Sequence, residues 1–253
     1  MAHSKWILIV GSTGEGKSSL INLLMGREVA NVNDSADGVT MDCQEYVTKH
    51  AETEYHLYDT IGLHEADGGK VPHKNAIEKL VAFAKSHSEG FNLIIFVMAK
   101  GRIRHDFEQN HLLFHDTIFC SQAPSILYVN GCEFEKQTGK WVTENAERLK
   151  SFQFKDVVCG TTMKHAGEFE ERIAPKREET RTAIWNAIDQ FSAAKRAPIT
   201  RYLKWWQKAI NIVLNVFGQP PLFQTEEMNK FAEILRKKGV REDVIKELVK
   251  TLQ

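Results

Sequence analysis

Residues 6–26 read WILIVGSTGEGKSSLINLLMG, and this stretch decides the fold. Its first five residues form an apolar run typical of a buried strand, and residues 11–18 fit the phosphate-loop pattern G-x-x-x-x-G-K-[ST]. The residues that follow place apolar side chains at helical spacing up to Gly26, a typical helix stop. A strand before such a loop and a helix after it make the backbone N–H groups and the helix dipole converge on phosphates. The sequence therefore predicts a nucleotide site at this loop.

The loop also carries side chains with phosphate chemistry. Lys17 is expected to reach the β- and γ-phosphates of the nucleotide as a point charge. The Ser18 hydroxyl is expected to ligate Mg²⁺, a hard cation that prefers oxygen. The loop alone does not distinguish GTP from ATP. The residues predicted to bind the phosphates are Ser12, Thr13, Gly14, Glu15, Gly16, Lys17, Ser18 and Ser19.

A second motif, LYDTIGL, covers residues 57–63. A carboxylate at the end of a strand opposite a phosphate loop can hold Mg²⁺ through water, and a nearby glycine can offer its N–H to a γ-phosphate. Asp59 and Gly62 are predicted to fill these two roles.

The segment between the two motifs, residues 31–40, is polar and rich in turn formers, which indicates a mobile loop. A threonine near the end of a switch loop can present a second Mg²⁺ ligand. Thr40 is favoured for this role over Ser35. The alternative is that Thr40 only begins the strand that follows.

These motifs, together with G-V-T-x-x-C at residues 38–43, resemble the immunity-associated GTPases of the GIMAP or AIG type, relatives of septins and of the chloroplast Toc receptors. The apolar run at 93–98 followed by GRIRHDFE at 101–108 looks like the box that these proteins carry between their third and fourth nucleotide motifs. The resemblance spans roughly residues 5–190. It implies a three-layer α/β fold, the P-loop GTPase fold, with GTP or GDP and Mg²⁺ as cofactors. It also implies a homodimer that forms through the nucleotide face.

The base-recognition motif departs from the usual N-K-x-D, because residues 130–133 read NGCE. Asn130 is retained, and Glu133 can still offer a carboxylate to the N1–H and N2–H₂ groups of guanine. Glutamate has one methylene more than the aspartate of N-K-x-D, and the lysine of that motif is absent. We therefore expect a weaker preference for guanine. The resemblance further implies that Cys159 and Gly160 place a backbone N–H near the base oxygen.

Hydrolysis requires a group that orients the attacking water. Many GTPases use a glutamine directly after D-x-x-G, where this chain has Leu63, a residue that makes no hydrogen bonds. Hydrolysis is therefore expected to be slow unless His64 or another group orients the water. The alternative is that His64 is only a solvated loop residue.

Arg102 is the candidate cation for the transition state, with Arg104 as the reserve, because both follow a strand at the sheet edge where ligands bind. The alternative is that both arginines only solvate a helix start.

The leading hypothesis is a guanine-nucleotide-binding protein that hydrolyses GTP to GDP and phosphate, slowly as a monomer and faster when two nucleotide faces meet. The competing hypothesis is a scaffold in which GTP orders residues 31–42 and drives assembly with negligible turnover. Leu63 favours the scaffold, and Arg102 favours the enzyme.

The chain has 253 residues, of which 42% are hydrophobic, enough for one large α/β core and a small appendage. Strand patterns alternate with helical patterns, which predicts a six-stranded, mostly parallel sheet covered on both faces. The short link at 49–53 makes one strand antiparallel, in a hairpin. We assign residues 1–194 to a G domain and 195–253 to a C-terminal helical extension. The predicted strands are 5–10, 43–48, 54–59, 92–98, 125–130 and 156–159.

The extension has 12 basic and 6 acidic residues, a charge of +6 in a chain whose formal charge is zero. These basic residues are dispersed over helices, so no nucleic-acid partner is expected. A helix at 202–217 is too short and too charged to span a bilayer. It is expected to pack on the G domain, with peripheral membrane contact as the alternative. Two short helices are predicted within 225–253 as a docking or self-association element.

The four cysteines show no metal-ligand or C-x-x-C spacing, and three of them sit in or beside apolar strands as reduced thiols. The first strand also begins too early to leave room for a leader. We therefore expect a cytoplasmic protein.

Overall fold

The computed structural model describes residues 3–30, 44–60, 72–135, 139–164, 166–199, 203–216, 218–221, 235–236 and 240–246. The strands are β1 His3–Val10, β2 Gln44–His50, β3 Thr53–Asp59, β4 Leu93–Ala99, β5 Ser125–Asn130 and β6 Val157–Gly160. The α-helices are α1 Lys17–Met25, α2 Pro72–Ser86, α3 His105–His111, α4 Lys140–Glu144, α5 Ala146–Leu149, α6 Glu170–Phe191 and α7 Leu203–Val216. A π-helix, Leu112–Ile118, continues α3, and short 3₁₀ turns lie at Lys150–Phe152 and Gly167–Phe169.

The six strands form one sheet in the order β2-β3-β1-β4-β5-β6. Only β2 and β3 pair in antiparallel fashion, and every other pair is parallel. Apolar clusters cover both faces of the sheet, one beneath α2, α3 and α7 and the other beneath α1 and α6. The predicted three-layer α/β fold is confirmed. Parallel strands bring their carboxyl ends to one edge, so the loops after β1, β4, β5 and β6 meet there.

Helix α7 packs on the rest of the chain through one broad apolar face, against the π-helix and α2. Trp206 is 2% exposed, and Ile210 and Val213 are fully buried, whereas Trp205 is half-buried. The packing interpretation of this helix is confirmed. Among the described helices, none is long and apolar enough to cross a bilayer.

The connection from α6 to α7 is also tied to the sheet. Ala197 exchanges two backbone hydrogen bonds with Phe91 (2.7 and 3.2 Å), and the Arg196 guanidinium lies over the Trp6 ring. Further on, Val244 and Ile245 are buried in a helical turn at 242–246. Of the helix predicted to begin near residue 225, only residues 235–236 are described; they are helical, and Leu235 is buried. The division at residue 194 stays a prediction.

Trp206→Ala is expected to lower the free energy of unfolding by about 3–5 kcal/mol, because it removes a large buried side chain and leaves a cavity. Trp205→Ala is the matched control on the same helix and should cost clearly less, since this side chain is half-buried. Denaturant unfolding followed by circular dichroism measures both values. Equal losses for the two variants would contradict the packing described here.

Candidate nucleotide-binding site

The phosphate-binding loop leaves the buried strand β1 and turns sharply into α1. Gly16 lies at the turn with a φ of 101°, a left-handed conformation that favours glycine. A Cβ atom at this position would lie 2.4 Å from Nδ2 of Asn130. The loop can therefore approach the end of β5 only because residue 16 is glycine.

Three predicted site residues meet at the start of α1. The Lys17 side chain is buried, and its Nζ donates to the carbonyl of Ser12 at 3.2 Å. The Ser18 hydroxyl donates to Oδ2 of Asp59 at 3.1 Å. Asp59 is held there because the next residue, Thr60, donates from its N–H and its hydroxyl to the carbonyl of Ile9. A hydroxyl oxygen beside a carboxylate oxygen is the donor set that suits Mg²⁺.

The segment after β4 is clamped to the loop by charged side chains. The buried Glu15 carboxylate accepts from the N–H of Ala99 and from the guanidinium of Arg104. Asp106 accepts from the Ser12 hydroxyl at 2.7 Å and also pairs with Arg104. The Glu15 side chain is thus directed towards β4, so a phosphate contact from this residue would come from its backbone. Sequence reasoning missed Asp106, because 94 residues separate it from Ser12.

Arg102 differs from Arg104 in its surroundings. It is exposed and makes no hydrogen bond or ion pair with any other residue in the described ranges. Both arginines line a cavity of about 170 Å³ that is also bounded by Ser12 and Glu15 of the loop. The guanidinium of Arg102 is therefore available beside the phosphate-binding loop, whereas that of Arg104 is engaged by two carboxylates.

Asn130 connects the end of β5 with the loop after β6. Its Oδ1 accepts from the Tyr128 hydroxyl at 3.0 Å and from the N–H and hydroxyl of Thr162 at 3.1 and 3.0 Å. Burial raises the pKa of Tyr128, which keeps its hydroxyl protonated as a donor. Sequence reasoning missed Thr162, for which no spacing motif gave a signal.

Glu133 offers an unsatisfied acceptor at the same edge of the sheet. Its Oε2 is buried and has no hydrogen-bond partner within the described part of the chain. Lys176 donates to its backbone carbonyl and so fixes the loop from α6. A second carboxylate that the sequence did not single out, Glu135, forms an ion pair with Lys100 at 2.9 Å, and its hydrogen bond raises the pKa of Lys100.

Cys159 and Gly160 end β6 beside the loop at 130–133. The N–H of Cys132 donates to the carbonyl of Gly160 at 2.9 Å, and a Cβ at Gly160 would lie 2.3 Å from Oγ1 of Thr180. A hydrogen bond from the Cys159 thiol to Cys132 raises the pKa of Cys159 and lowers the pKa of Cys132. The two predicted base-binding segments are thus adjacent.

Several predicted site residues cannot be compared with the structure. Thr40, Gly62 and His64 lie outside the described residues, as does Leu63. Their assigned roles stay predictions.

Residues 6–131 match the model of a protein family described as 50S ribosome-binding GTPase. The GTPase Der of Jannaschia sp. (strain CCS1) is 32% identical over 127 residues, which are 50% of this chain and 25% of Der. The chain spans less than half the length of the curated relatives it matches.

Solved structures share the fold at lower identity. Toc33 from Arabidopsis thaliana in complex with GDP and Mg²⁺ aligns with a TM-score of 0.51 and 17% identity, over 77% of this chain and 88% of that chain. A structure of the chloroplast translocon components atToc33 and psToc159, for which dimerisation is important for GTPase activity, aligns with a TM-score of 0.54 and 16% identity, over 79% and 87%. With the family match, residues 6–131 form a P-loop GTPase domain, the class of enzyme that binds and hydrolyses GTP with Mg²⁺.

Proposed function

We propose that this P-loop GTPase domain makes the chain a GIMAP-type enzyme that hydrolyses GTP to GDP and phosphate, slowly as a monomer and faster when two nucleotide faces meet. The GIMAP assignment is supported by the segment at 101–108, which packs on the phosphate-binding loop through Arg104 and Asp106. A segment that contacts the phosphate-binding loop from the side can transmit the difference between the GTP-bound and GDP-bound states to the outer face of the domain.

The residues around the loop have distinct roles in this mechanism. Lys17 would neutralise charge on the β- and γ-phosphates, and its burial strengthens this interaction, because the local dielectric is lower than in water. Ser18 and Asp59 would hold Mg²⁺. The ion held by these two residues would supply positive charge that stabilises the charge developing on the phosphates in the transition state. The protein therefore contributes positioning and charge rather than covalent chemistry.

Stimulation by dimerisation rests on one observation, the unengaged Arg102 beside the loop. An exposed guanidinium at the mouth of a nucleotide site can reach into the site of a second subunit, where it would stabilise the γ-phosphate. The chloroplast translocon GTPases of similar fold, for which dimerisation is important for GTPase activity, support a role for dimerisation in this chain. The partner would be a second copy of this chain.

A GTP-gated scaffold with negligible turnover is the second candidate. It is favoured by Leu63, which stands where many GTPases place the water-orienting glutamine. In this case GTP would order the loop at 31–42 and promote assembly without hydrolysis.

We also propose a cytoplasmic location without a nucleic-acid partner. Free thiols at Cys120, Cys132 and Cys159 support a reducing compartment. Peripheral membrane contact by the extension stays an alternative that the burial of Trp206 makes less favourable.

Turnover of GTP and of ATP by the purified chain with Mg²⁺, measured over a wide range of protein concentration, tests the proposed function. The expected result is GTP hydrolysis with a specific activity that rises with concentration. GTP binding that drives dimerisation without phosphate release would instead support the scaffold.

Glu133→Ala is expected to remove the preference for guanine over adenine. The free energy of guanine-nucleotide binding should become less favourable by about 1.5–3 kcal/mol, the contribution of a charge-assisted hydrogen bond. The physical reason is the buried, unsatisfied Oε2, which matches the N1–H and N2–H₂ donors that guanine has and adenine lacks. Competition between GDP and ADP at the site measures the preference. Glu135→Ala is the control; if it removes the preference while Glu133→Ala does not, base recognition belongs to Glu135.

A further inference from the structure

A group of metal-ligating side chains lies where α3 continues into the π-helix. His111, His115 and Asp116 each offer a ligand atom, and these atoms lie within 4.8 Å of one another. The π-helix causes this grouping, since its backbone bonds close from residue i to i+5, as in the Phe119 N–H to Phe114 carbonyl bond of 3.1 Å. Residues at i, i+4 and i+5 therefore share one face.

The hydrogen bonds of His111 fix which of its nitrogens is free to bind. Its Nε2 lies 3.0 Å from the carbonyl of Phe152, and a carbonyl only accepts, so Nε2 carries the hydrogen. The lone pair is then on Nδ1. A histidine whose second nitrogen donates to a backbone carbonyl is the usual arrangement of a metal ligand, because that bond sets the tautomer and the ring orientation.

The Nδ1 lone pair of His111 faces a carboxylate. Asp116 Oδ2 lies 3.7 Å away, and Asp116 Oδ1 lies 2.8 Å from Nδ1 of His115. The two imidazoles are 4% and 6% exposed. A lone pair and a carboxylate that face each other are stabilised by a cation between them.

We propose that His111, His115 and Asp116 bind a Zn²⁺ ion. Tetrahedral zinc with bonds of about 2.0–2.2 Å places neighbouring ligand atoms about 3.4 Å apart. The Asp116 carboxylate lies 3.7 Å from His111 Nδ1 and 2.8 Å from His115 Nδ1, through different oxygens, and these distances bracket that value. Two imidazole nitrogens and one carboxylate oxygen suit zinc, whereas Mg²⁺ prefers oxygen ligands alone. The Asp116 side chain is 39% exposed, so the site opens to solvent there and a water molecule can complete it.

The position of the site explains what the ion would do. The π-helix is the surface on which α7 packs, and Phe152, which accepts from His111, belongs to the segment before β6. Zinc bound there would fix the orientation of the His111 ring that donates to Phe152, and it would stabilise the folded chain in proportion to its occupancy. This role is separate from the Mg²⁺ at the phosphate-binding loop.

Titration of the chelator-treated full chain with Zn²⁺, and separately with Co²⁺ as a spectroscopic probe, tests the site. Excess GDP and Mg²⁺ are kept present so that the nucleotide site is filled. The expected result is one ion per chain, a raised melting temperature, and a tetrahedral Co²⁺ spectrum without a sulfur-to-cobalt charge-transfer band. A sulfur band would assign the ion to cysteine thiols and overturn the proposal, as would the absence of stoichiometric binding.

Two variants locate the ion. Asp116→Asn keeps the shape of a partly exposed side chain, and His115→Gln removes one imidazole; each should weaken Zn²⁺ binding by at least about tenfold. The matched control is His105→Gln, which alters an exposed histidine 3.7 Å from the Glu108 carboxylate and should leave the affinity unchanged. Wild-type affinity in Asp116→Asn and His115→Gln would overturn the proposal.

Discussion

Lys17→Ala is expected to weaken binding of Mg²⁺-GTP and Mg²⁺-GDP by about 10²–10⁴-fold while the protein stays folded. A hydrogen bond from a charged group contributes about 1.5–3 kcal/mol, and the ammonium is placed to reach two phosphates. Its Nζ donates to the Ser12 carbonyl, a group of the loop rather than of the apolar core. Removing it therefore costs ligand affinity more than stability. Equilibrium binding of a fluorescent guanine nucleotide measures the loss.

Ser18→Asn tests the metal side of the same site. The substitution removes the Ser18 hydroxyl, so this group and Asp59 can no longer bind Mg²⁺ together. Nucleotide affinity should then become nearly independent of Mg²⁺ concentration. Lys140→Ala removes an exposed lysine paired with Glu144 and is the control for nonspecific loss of positive charge. Normal GTP affinity in both loop variants would contradict the assignment of this loop as the nucleotide site.

Local patterns in the sequence were sufficient to predict the sheet. The short apolar runs within β4 and β5, set between helical patterns, predicted strands buried on both faces, and the short link between β2 and β3 predicted a hairpin. The helix from residue 17 ended at Gly26 as predicted, because this glycine adopts a left-handed conformation that stops the helix. The π-helix was not predicted, since its sequence has no periodicity that separates it from α3.

The candidate site was predictable only where its residues lie close together in the sequence. The phosphate-binding loop and Asp59 belong to short motifs with a fixed geometry, and the structure brings Lys17, Ser18 and Asp59 together. The contacts of Asp106 with Ser12 and of Asn130 with Thr162 join residues distant in sequence. Such pairs depend on how the strand ends are arranged, which a single sequence does not specify. For the same reason, the sequence could name Arg102 as the candidate and Arg104 as the reserve, but it could not show that Arg104 pairs with Glu15 and Asp106.

Arg102 and Arg104 differ in their surroundings. Arg104 is held by Glu15 and Asp106, so its charge is already compensated within its own subunit. Arg102 is exposed beside the loop and has no such partner among the described residues. Only Arg102 can therefore be supplied to a second nucleotide site without breaking an ion pair.

Arg102→Ala is expected to abolish the rise of GTPase activity with protein concentration while GTP affinity changes little. An arginine supplied in trans contributes about 10³–10⁵ to the rate of hydrolysis, because it stabilises charge that develops only in the transition state. Arg104→Ala is the control: it should loosen the loop through Glu15 and change GTP affinity, yet keep the concentration dependence. Phosphate release measured over a dilution series distinguishes the two variants. Among the described residues that line the cavity, Arg102 and Arg104 are the arginines, and Arg104 is already paired. A constant turnover per subunit in the wild-type protein, or a concentration dependence that Arg102→Ala leaves unaltered, would therefore contradict the trans-arginine mechanism and favour the scaffold.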